Sequence, residues 1–203
     1  VAGLLGANTL LGCPLSDEDL SDLAAELEGH PDNTAPALLG GLVTAVMEGG
    51  RVYTVSVPVS ENIRFAVFIP DFELKTEVAR AALPEQVSRA DAVYNLSRAA
   101  LMTASLCKGD FSHLRVAVQD RLHQPYRFPM IPGAEQVFYI AYGLGAHAVA
   151  ISGAGPSILA VIDSADTAFA DKAALRLREA GLTGWQVQLF GCDSRGATGE
   201  FVG

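Results

Sequence analysis

Two short polar segments interrupt the apolar stretches of this chain, and both have residue types suited to binding a small polar ligand. The first is Glu28-Gly29-His30-Pro31-Asp32-Asn33, where a carboxylate ends a predicted helix and a proline fixes the backbone ahead of Asp32. Mg²⁺ prefers oxygen ligands, so Glu28 is a candidate metal ligand, and Glu26 on the same helix competes for that role. Asp32 can orient a hydroxyl or ammonium group, and Asn33 can form hydrogen bonds without adding charge. The alternative is that Asp32 and Asn33 only cap the following helix.

The second segment is the turn Ser152-Gly153-Ala154-Gly155-Pro156-Ser157, which lies between two apolar strands. Glycines there permit positive φ and let backbone N–H groups approach a ligand closely, as in loops that bind phosphate. An ordinary hairpin turn uses the same residues, so that alternative stays open. The turn lacks the lysine of the GxxxxGK[ST] phosphate loop.

Two arginines outside these segments are candidates for binding an anionic substrate. Arg80 follows Thr76 by four positions on a predicted short helix, so both side chains share one face. Arg127 lies in the proline-rich loop Gln124-Pro125-Tyr126-Arg127. Guanidinium groups bind carboxylates in a bidentate manner, although any single arginine can also serve only to solvate the surface.

The composition limits the classes of function. The chain has 203 residues, of which 50% are hydrophobic, and a formal net charge of −9, which argues against nucleic-acid binding. There is no apolar run long enough to span a bilayer, and no signal peptide is recognisable, so a cytoplasmic location is expected. The three widely spaced cysteines show no zinc-ligand pattern and are expected to be buried or half-buried free thiols. The apolar opening reads as the continuation of a helix that starts upstream, so we expect the front of the protein to be missing.

The elements that must position these residues alternate irregularly, which favours an α+β fold over a doubly wound sheet. Ser16 and Asp19 predict a capping box at the start of a helix that runs to Gly29. The predicted helices cover residues 1–12, 75–82, 88–108, 111–121, 135–142 and 165–180, and the predicted strands cover 52–58, 63–69, 148–151, 158–162, 185–190 and 197–202. An irregular loop is expected around Pro125, Pro129 and Pro132.

These segments together resemble the GHMP small-molecule kinases and, within that family, the homoserine kinases. The resemblance is carried by Glu28 to Asn33 with the Ala-rich helix and Gly-Gly that follow, by Thr76 and Arg80 ahead of Leu83-Pro84, by Asp120 to Arg127, and by the turn 152–157. It implies a fold made of the GHMP C-terminal α/β sandwich (residues 61–203) and a remnant of the N-terminal, ATP-binding domain (residues 1–60). The phosphate-binding loop of that N-terminal domain, of the PxxxGLGSSAA type, does not occur in the chain.

The resemblance also implies the chemistry. ATP would phosphorylate the hydroxyl of L-homoserine in threonine biosynthesis, with Glu28 holding Mg²⁺ and with Asp32 and Asn33 as the catalytic pair that orients homoserine. Thr76, Arg80 and Arg127 would bind the amino-acid end of the substrate, which carries the α-amino and carboxylate groups. The turn Gly153, Ala154, Gly155 and Ser157 would approach the phosphate, with Gly153 also contacting the substrate. A homodimer is expected from the family. The alternatives are another GHMP kinase, such as a mevalonate-type enzyme, or a catalytically silent ligand-binding fragment.

Overall fold

The computed structural model describes residues 1–199, whose contacts divide the chain into two units. Unit 1 contains residues 1–59 and the segment that returns to it from residue 192, and unit 2 contains residues 60–191. The prediction that residues 1–60 and 61–203 correspond to the two GHMP domains stays a prediction.

Unit 1 combines three helices with a hairpin. The predicted capping box begins the second helix: the Asp19 N–H donates to Ser16 Oγ (3.2 Å), and the Ser16 N–H donates to Asp19 Oδ2 (3.0 Å). Gly29 ends that helix in the left-handed conformation, as helix-terminal glycines often do. The elements of unit 1 are α1 (Ala2–Leu10), α2 (Asp17–Glu28), α3 (Thr34–Leu39), β1 (Leu42–Glu48) and β2 (Arg51–Val57).

Polar contacts fix these elements within unit 1. The Val52 N–H donates to Asp22 Oδ1 (2.7 Å), which joins α2 to β2. The returning segment packs closely against the end of α3, because a Cβ on Gly40 would lie 2.5 Å from the backbone N of Gly196. In α1, the buried Asn8 side chain both donates to and accepts from the backbone of Leu15, each at 3.0 Å.

Unit 2 is built on a four-stranded antiparallel sheet with strand order β4-β5-β3-β6. Helices α8 and α9 pack against this sheet in one core, in which Phe68 and Phe169 contact each other edge to face (ring centroids 6.4 Å apart). The elements of unit 2 are β3 (Ile63–Pro70), α4 (Thr76–Ala81), α5 (Arg89–Lys108), α6 (Leu114–Ala117), α7 (Gln124–Arg127), a 3₁₀ turn (Phe128–Met130), α8 (Ala134–Gly143), β4 (Ala148–Ile151), β5 (Ile158–Asp163), α9 (Phe169–Glu179) and β6 (Trp185–Phe190).

The α+β class and most predicted elements are confirmed, but two predictions in the helical part of unit 2 are wrong. The predicted helix over residues 111–121 is reduced to the four residues of α6. Side chains compete for the backbone at both ends of that segment, since Asp110 accepts from the Ser112 N–H and Asp120 accepts from N–H groups that follow it. The predicted irregular loop around the prolines contains α7 and the 3₁₀ turn.

The structure also contains a strand, β1, that the sequence analysis did not predict. In the strand predicted over 197–202, residues 197–199 are not extended strand, and the remainder lies outside the described residues. Cys13, Cys107 and Cys192 are free as predicted, but they are exposed rather than buried or half-buried. None of the helices in residues 1–199 is long and apolar enough to span a membrane.

Candidate functional site

The candidate site in unit 2 centres on Arg127, at the end of α7. The sequence folds locally into this short helix because the Asp120 carboxylate accepts from the N–H groups of Leu122 (3.0 Å), His123 (2.8 Å) and Gln124 (2.6 Å). These groups would otherwise be unsatisfied donors at a helix start. Asp120 therefore fixes the loop that carries Arg127.

Arg127 is a buried cation, with 8% of its surface exposed. Its Nε donates to the Ala79 carbonyl (3.4 Å), and its Nη1 donates to the Gly153 carbonyl (2.9 Å). No carboxylate of residues 1–199 lies within 4.0 Å of the guanidinium. Burial lowers the pKa of Arg127, the Asp120 carboxylate opposes this change, and the Arg80 charge adds to it. Buried charges are normally paired, so this guanidinium is suited to an anionic ligand.

Thr76 and Arg80 occupy α4, beside Arg127. Both are exposed and are four residues apart in the helix, so they share one face as the sequence predicts. Ala79 of the same helix accepts the Arg127 hydrogen bond, and the Arg80 charge acts on the pKa of Arg127. The structure thus brings the three predicted anion-binding side chains into one neighbourhood.

The turn after β4 lies against this group. Thr76 lines a cavity of about 420 Å³ together with Pro156 and Ser157, and the Gly153 carbonyl accepts from Arg127. Gly153 and Gly155 have φ of +57° and +88°, and a Cβ on Gly155 would lie 2.9 Å from Ile131 Cδ1. Within the described residues, the N–H groups of Gly153 and Ala154 have no protein acceptor. A backbone with two free N–H groups beside a buried cation is suited to an anion.

Unit 1 holds the other predicted residues, at the end of α2 and the start of α3. Glu26, Glu28, Asp32 and Asn33 are all exposed. Asn33 occupies the N-cap position of α3 but makes no capping hydrogen bond with its side chain, and the Asp32 carboxylate contacts His30 Nδ1 instead. The alternative that these two side chains cap α3 is therefore wrong, because neither of them makes a capping hydrogen bond in the structure.

Among residues 1–199, no three His, Cys, Asp or Glu side chains form a group that could hold a metal ion. A magnesium ion shared with substrate phosphates needs only one or two protein carboxylates. Glu26 and Glu28 are in the last turn of α2, which contains no basic residue. Because the C-terminal end of a helix carries partial negative charge, this end of α2 favours a nearby cation.

The sequence reasoning missed three residues that position the site: Asp120, His123 and Gln124. Gln124 Oε1 accepts from the Ile151 N–H (2.9 Å), which joins the loop to the strand before the turn, and His123 contacts Arg127. An Asp four residues before a Gln-Pro pair is a helix-start signal, because Pro is favoured in the first turn and Asp accepts from free N–H groups. That signal could have predicted α7 and the role of Asp120.

Comparisons with known proteins extend over most of the chain. The family model for the GHMP kinases N terminal domain matches residues 1–41, and the model described as GHMP kinases C terminal matches residues 102–181. A homoserine kinase of Clostridium beijerinckii is 47% identical over 198 residues, which is 98% of this chain and 66% of that protein. A homoserine kinase of Caldicellulosiruptor saccharolyticus is 44% identical over 97% of this chain and 64% of that protein.

A comparison with solved structures also finds a homoserine kinase. The crystal structure of a homoserine kinase from Cytophaga hutchinsonii superposes with a TM-score of 0.86 at 31% identity, and the match covers 96% of this chain and 64% of that one. The chain therefore spans about two-thirds of the length of the relatives it matches.

Proposed function

The chain belongs to the GHMP kinase family, and we propose that its protein is a homoserine kinase, which transfers the γ-phosphoryl group of ATP to the hydroxyl of L-homoserine. The observation that carries this proposal is the identity of 47% to a homoserine kinase over 98% of the chain. In the reaction, the substrate oxygen forms a bond to the γ-phosphorus, the bond to the bridging oxygen of ADP breaks, and the hydroxyl proton is lost. The products are O-phospho-L-homoserine, ADP and the released proton.

The substrate's amino-acid end is assigned to unit 2. Homoserine carries a carboxylate, and the buried Arg127 guanidinium lacks a carboxylate partner among the described residues. Arg80 adds a second positive charge, and Thr76 adds a hydroxyl on the same helical face. This arrangement suits an α-amino acid better than an uncharged alcohol, because the carboxylate would offset two like charges that repel each other.

The phosphoryl group is assigned to the turn of Gly153, Ala154, Gly155 and Ser157. The N–H groups of Gly153 and Ala154, which have no acceptor among residues 1–199, can donate to phosphate oxygens without moving a side chain. Gly153 is also the residue whose carbonyl fixes Arg127, so the same turn touches both ends of the substrate in this proposal.

Residues of unit 1 complete the assignment. Glu28 would hold Mg²⁺, with Glu26 as the competing ligand, and the ion would neutralise phosphate charge when bound. Asp32 and Asn33 would orient the substrate hydroxyl, because their side chains are exposed and Asn33 is not engaged in capping α3. Phosphoryl transfer depends mainly on positioning and charge neutralisation, so Asp32 can act by aligning the hydroxyl whether or not it accepts the proton.

The proposal includes two properties expected of the family. The protein would be cytoplasmic, where ATP is available, and it would form a homodimer, which sedimentation velocity tests.

The decisive experiment measures ADP release from MgATP with the protein expressed from its complete open reading frame. We expect ADP release that depends on L-homoserine and is absent with mevalonate. Arg80→Ala should abolish most of it, whereas Arg178→Ala, on the exposed surface of α9, should not change it. Turnover of mevalonate would assign another GHMP activity. If no ADP is released with homoserine or with mevalonate, the result would support a silent ligand-binding protein.

A further inference from the structure

His123 makes a contact that fixes its protonation state. Its Nδ1 lies 3.1 Å from Arg127 Nη1. A guanidinium group only donates hydrogen bonds, so Nδ1 must be the acceptor and must carry a lone pair. The single imidazole proton is then on Nε2, which lies 3.8 Å from Asp120 Oδ2.

With this contact, three of the N–H groups of the Arg127 guanidinium have acceptors in the protein. Of its five N–H groups, the one on Nε donates to Ala79 O, and the two on Nη1 have acceptors in Gly153 O and His123 Nδ1. Nη2 makes no hydrogen bond within the described residues, and its two N–H groups remain for a ligand. Three fixed N–H groups hold the plane of the guanidinium, and with it the direction of Nη2.

We propose that neutral His123 is a positioning residue that holds Arg127 for the substrate carboxylate, and that protonation of His123 weakens substrate binding. This inference rests on the proposed function. A proton on Nδ1 would turn the acceptor into a donor facing another donor. It would also add a positive charge beside Arg127 to that of Arg80. For both reasons the guanidinium would lose one of its three fixed contacts.

Burial favours the neutral form of His123 at neutral pH, and the two neighbouring charges act in opposite directions. Burial lowers its pKa below the ordinary value of 6.5, the Asp120 carboxylate opposes this change, and the Arg127 charge adds to it. Asp120 belongs to the loop before α7, and Arg127 belongs to α7 itself. Arg80 on α4 lowers the pKa of Arg127. The pKa of His123 therefore lies below its ordinary value of 6.5, so the imidazole is mostly neutral at neutral pH.

Steady-state kinetics of the complete protein test the proposal, with three variants compared between about pH 5.5 and about pH 8. His123→Ala removes the acceptor, His123→Asn keeps an oxygen acceptor that does not titrate, and His147→Asn is the control. His147 also lies near a carboxylate, Asp163 (3.6 Å), but does not contact Arg127.

We expect His123→Ala to raise the KM for L-homoserine by about tenfold at neutral pH with little change in kcat, since a hydrogen bond to a charged group is lost. His123→Asn should restore most of the affinity. The wild-type KM should rise as the pH falls, and this rise should be absent in His123→Asn, whereas titration of the ATP phosphates affects both proteins equally. A wild-type KM in His123→Ala, or the same pH dependence in His123→Asn as in the wild type, would overturn the proposal.

An NMR titration of the His123 imidazole separates this inference from the proposed function. In the wild type its pKa should lie below 6.5, and Arg127→Met should raise it by removing the neighbouring charge. An unchanged pKa would reject the contact itself. Absence of homoserine turnover in the wild type would instead reject the proposed function, and with it the substrate part of this inference, whatever the titration shows.

Discussion

Asp120 offers a sharp test of how the site in unit 2 is held together. Its side chain is only 6% exposed and accepts four hydrogen bonds. Oδ1 accepts from the Leu122 N–H (3.0 Å) and Asn95 Nδ2 (2.5 Å), and Oδ2 accepts from the N–H groups of His123 (2.8 Å) and Gln124 (2.6 Å). Asp120→Asn keeps the shape of the side chain but replaces one of its acceptor oxygens with an NH₂ group.

The expected loss follows from this geometry. In either orientation of the new amide, its NH₂ group faces two donors that previously had a carboxylate acceptor. Each hydrogen bond to a charged group contributes about 1.5 kcal/mol at the low end of the usual range, so the variant should lose about 3 kcal/mol of unfolding free energy. For a chain of this size, that loss lowers the melting temperature by about 6–12 °C.

The pH dependence gives an independent signature. Burial by itself raises the pKa of Asp120, but the hydrogen bonds from Gln124, Asn95, His123 and Leu122 outweigh it and hold the pKa below the ordinary value of 3.8. A carboxyl group whose pKa is depressed by folding stabilises the protein above its unfolded pKa, and this stabilisation is lost as the pH falls through the folded pKa. The difference in stability between wild type and Asp120→Asn should therefore be constant at neutral pH and shrink below pH 3.8.

Thermal unfolding of the complete protein, followed by circular dichroism, measures both effects. Asp110→Asn is the matched control, because Asp110 lies in the same unit but, among residues 1–199, accepts only from the backbone and hydroxyl of Ser112. It should melt close to the wild type. If Asp120→Asn also melts within about 2 °C of the wild type, or if its deficit persists unchanged in acid, Asp120 does not anchor α7.

Two further predictions concern the other segments. Asn8→Ala should lower the free energy of unfolding in urea by about 1–2 kcal/mol, because it leaves the backbone N–H and C=O of Leu15 without their partners. Asn33→Ala should leave the free energy of unfolding almost unchanged, because the Asn33 side chain makes no capping hydrogen bond. It should still reduce homoserine-dependent ADP release if Asn33 orients the substrate. Gly155→Ala should destabilise by about 2–3 kcal/mol, because it adds a contact with Ile131 to the strain of a positive φ, whereas Gly145→Ala, with open space around its Cβ, should cost about 1 kcal/mol. Equal stability loss in Asn8→Ala and Asn33→Ala, or in Gly155→Ala and Gly145→Ala, would contradict these arguments.

Elements with strong local signals were predictable from the sequence. Ser88 and Gly109 cap α5 at both ends, and the branched and aromatic residues of β3 give the strand that the sequence predicts. Strand β1 (Leu42–Glu48) was missed because its residues have no clear alternation, and its extended form depends on pairing with β2. Pairing between strands is a tertiary effect that overrides local propensity.

In the candidate site, too, local features were predictable from the sequence and long-range contacts were not. The residue types that bind anions could be chosen from the sequence, because guanidinium groups and glycine turns have few alternatives for that chemistry. The contact between Arg127 and the Gly153 carbonyl joins residues that are 26 positions apart, and that between Arg127 and Ala79 joins residues 48 positions apart. Such contacts follow from the packing of α7 against α4 and the turn, which no local pattern contains. Asp120 and His123 were overlooked because their contacts are with the backbone at the start of α7 and with Arg127, and no pattern of anion-binding residues includes them.

Charge explains why the positioning residues matter in this protein. A chain with a net charge of −9 provides no broad positive field to attract an anionic substrate, so the attraction must come from individual guanidinium groups. Arg80 and Arg127 lie close enough for the charge of Arg80 to lower the pKa of Arg127, and in the described residues no carboxylate contacts Arg127 to offset that repulsion. Neutral acceptors hold Arg127 instead: two backbone carbonyls and one imidazole lone pair. They satisfy three N–H groups without neutralising the charge, which leaves the full positive charge for a carboxylate. A carboxylate in place of His123 would hold the guanidinium equally well, but it would offset the positive charge that the proposed substrate carboxylate needs.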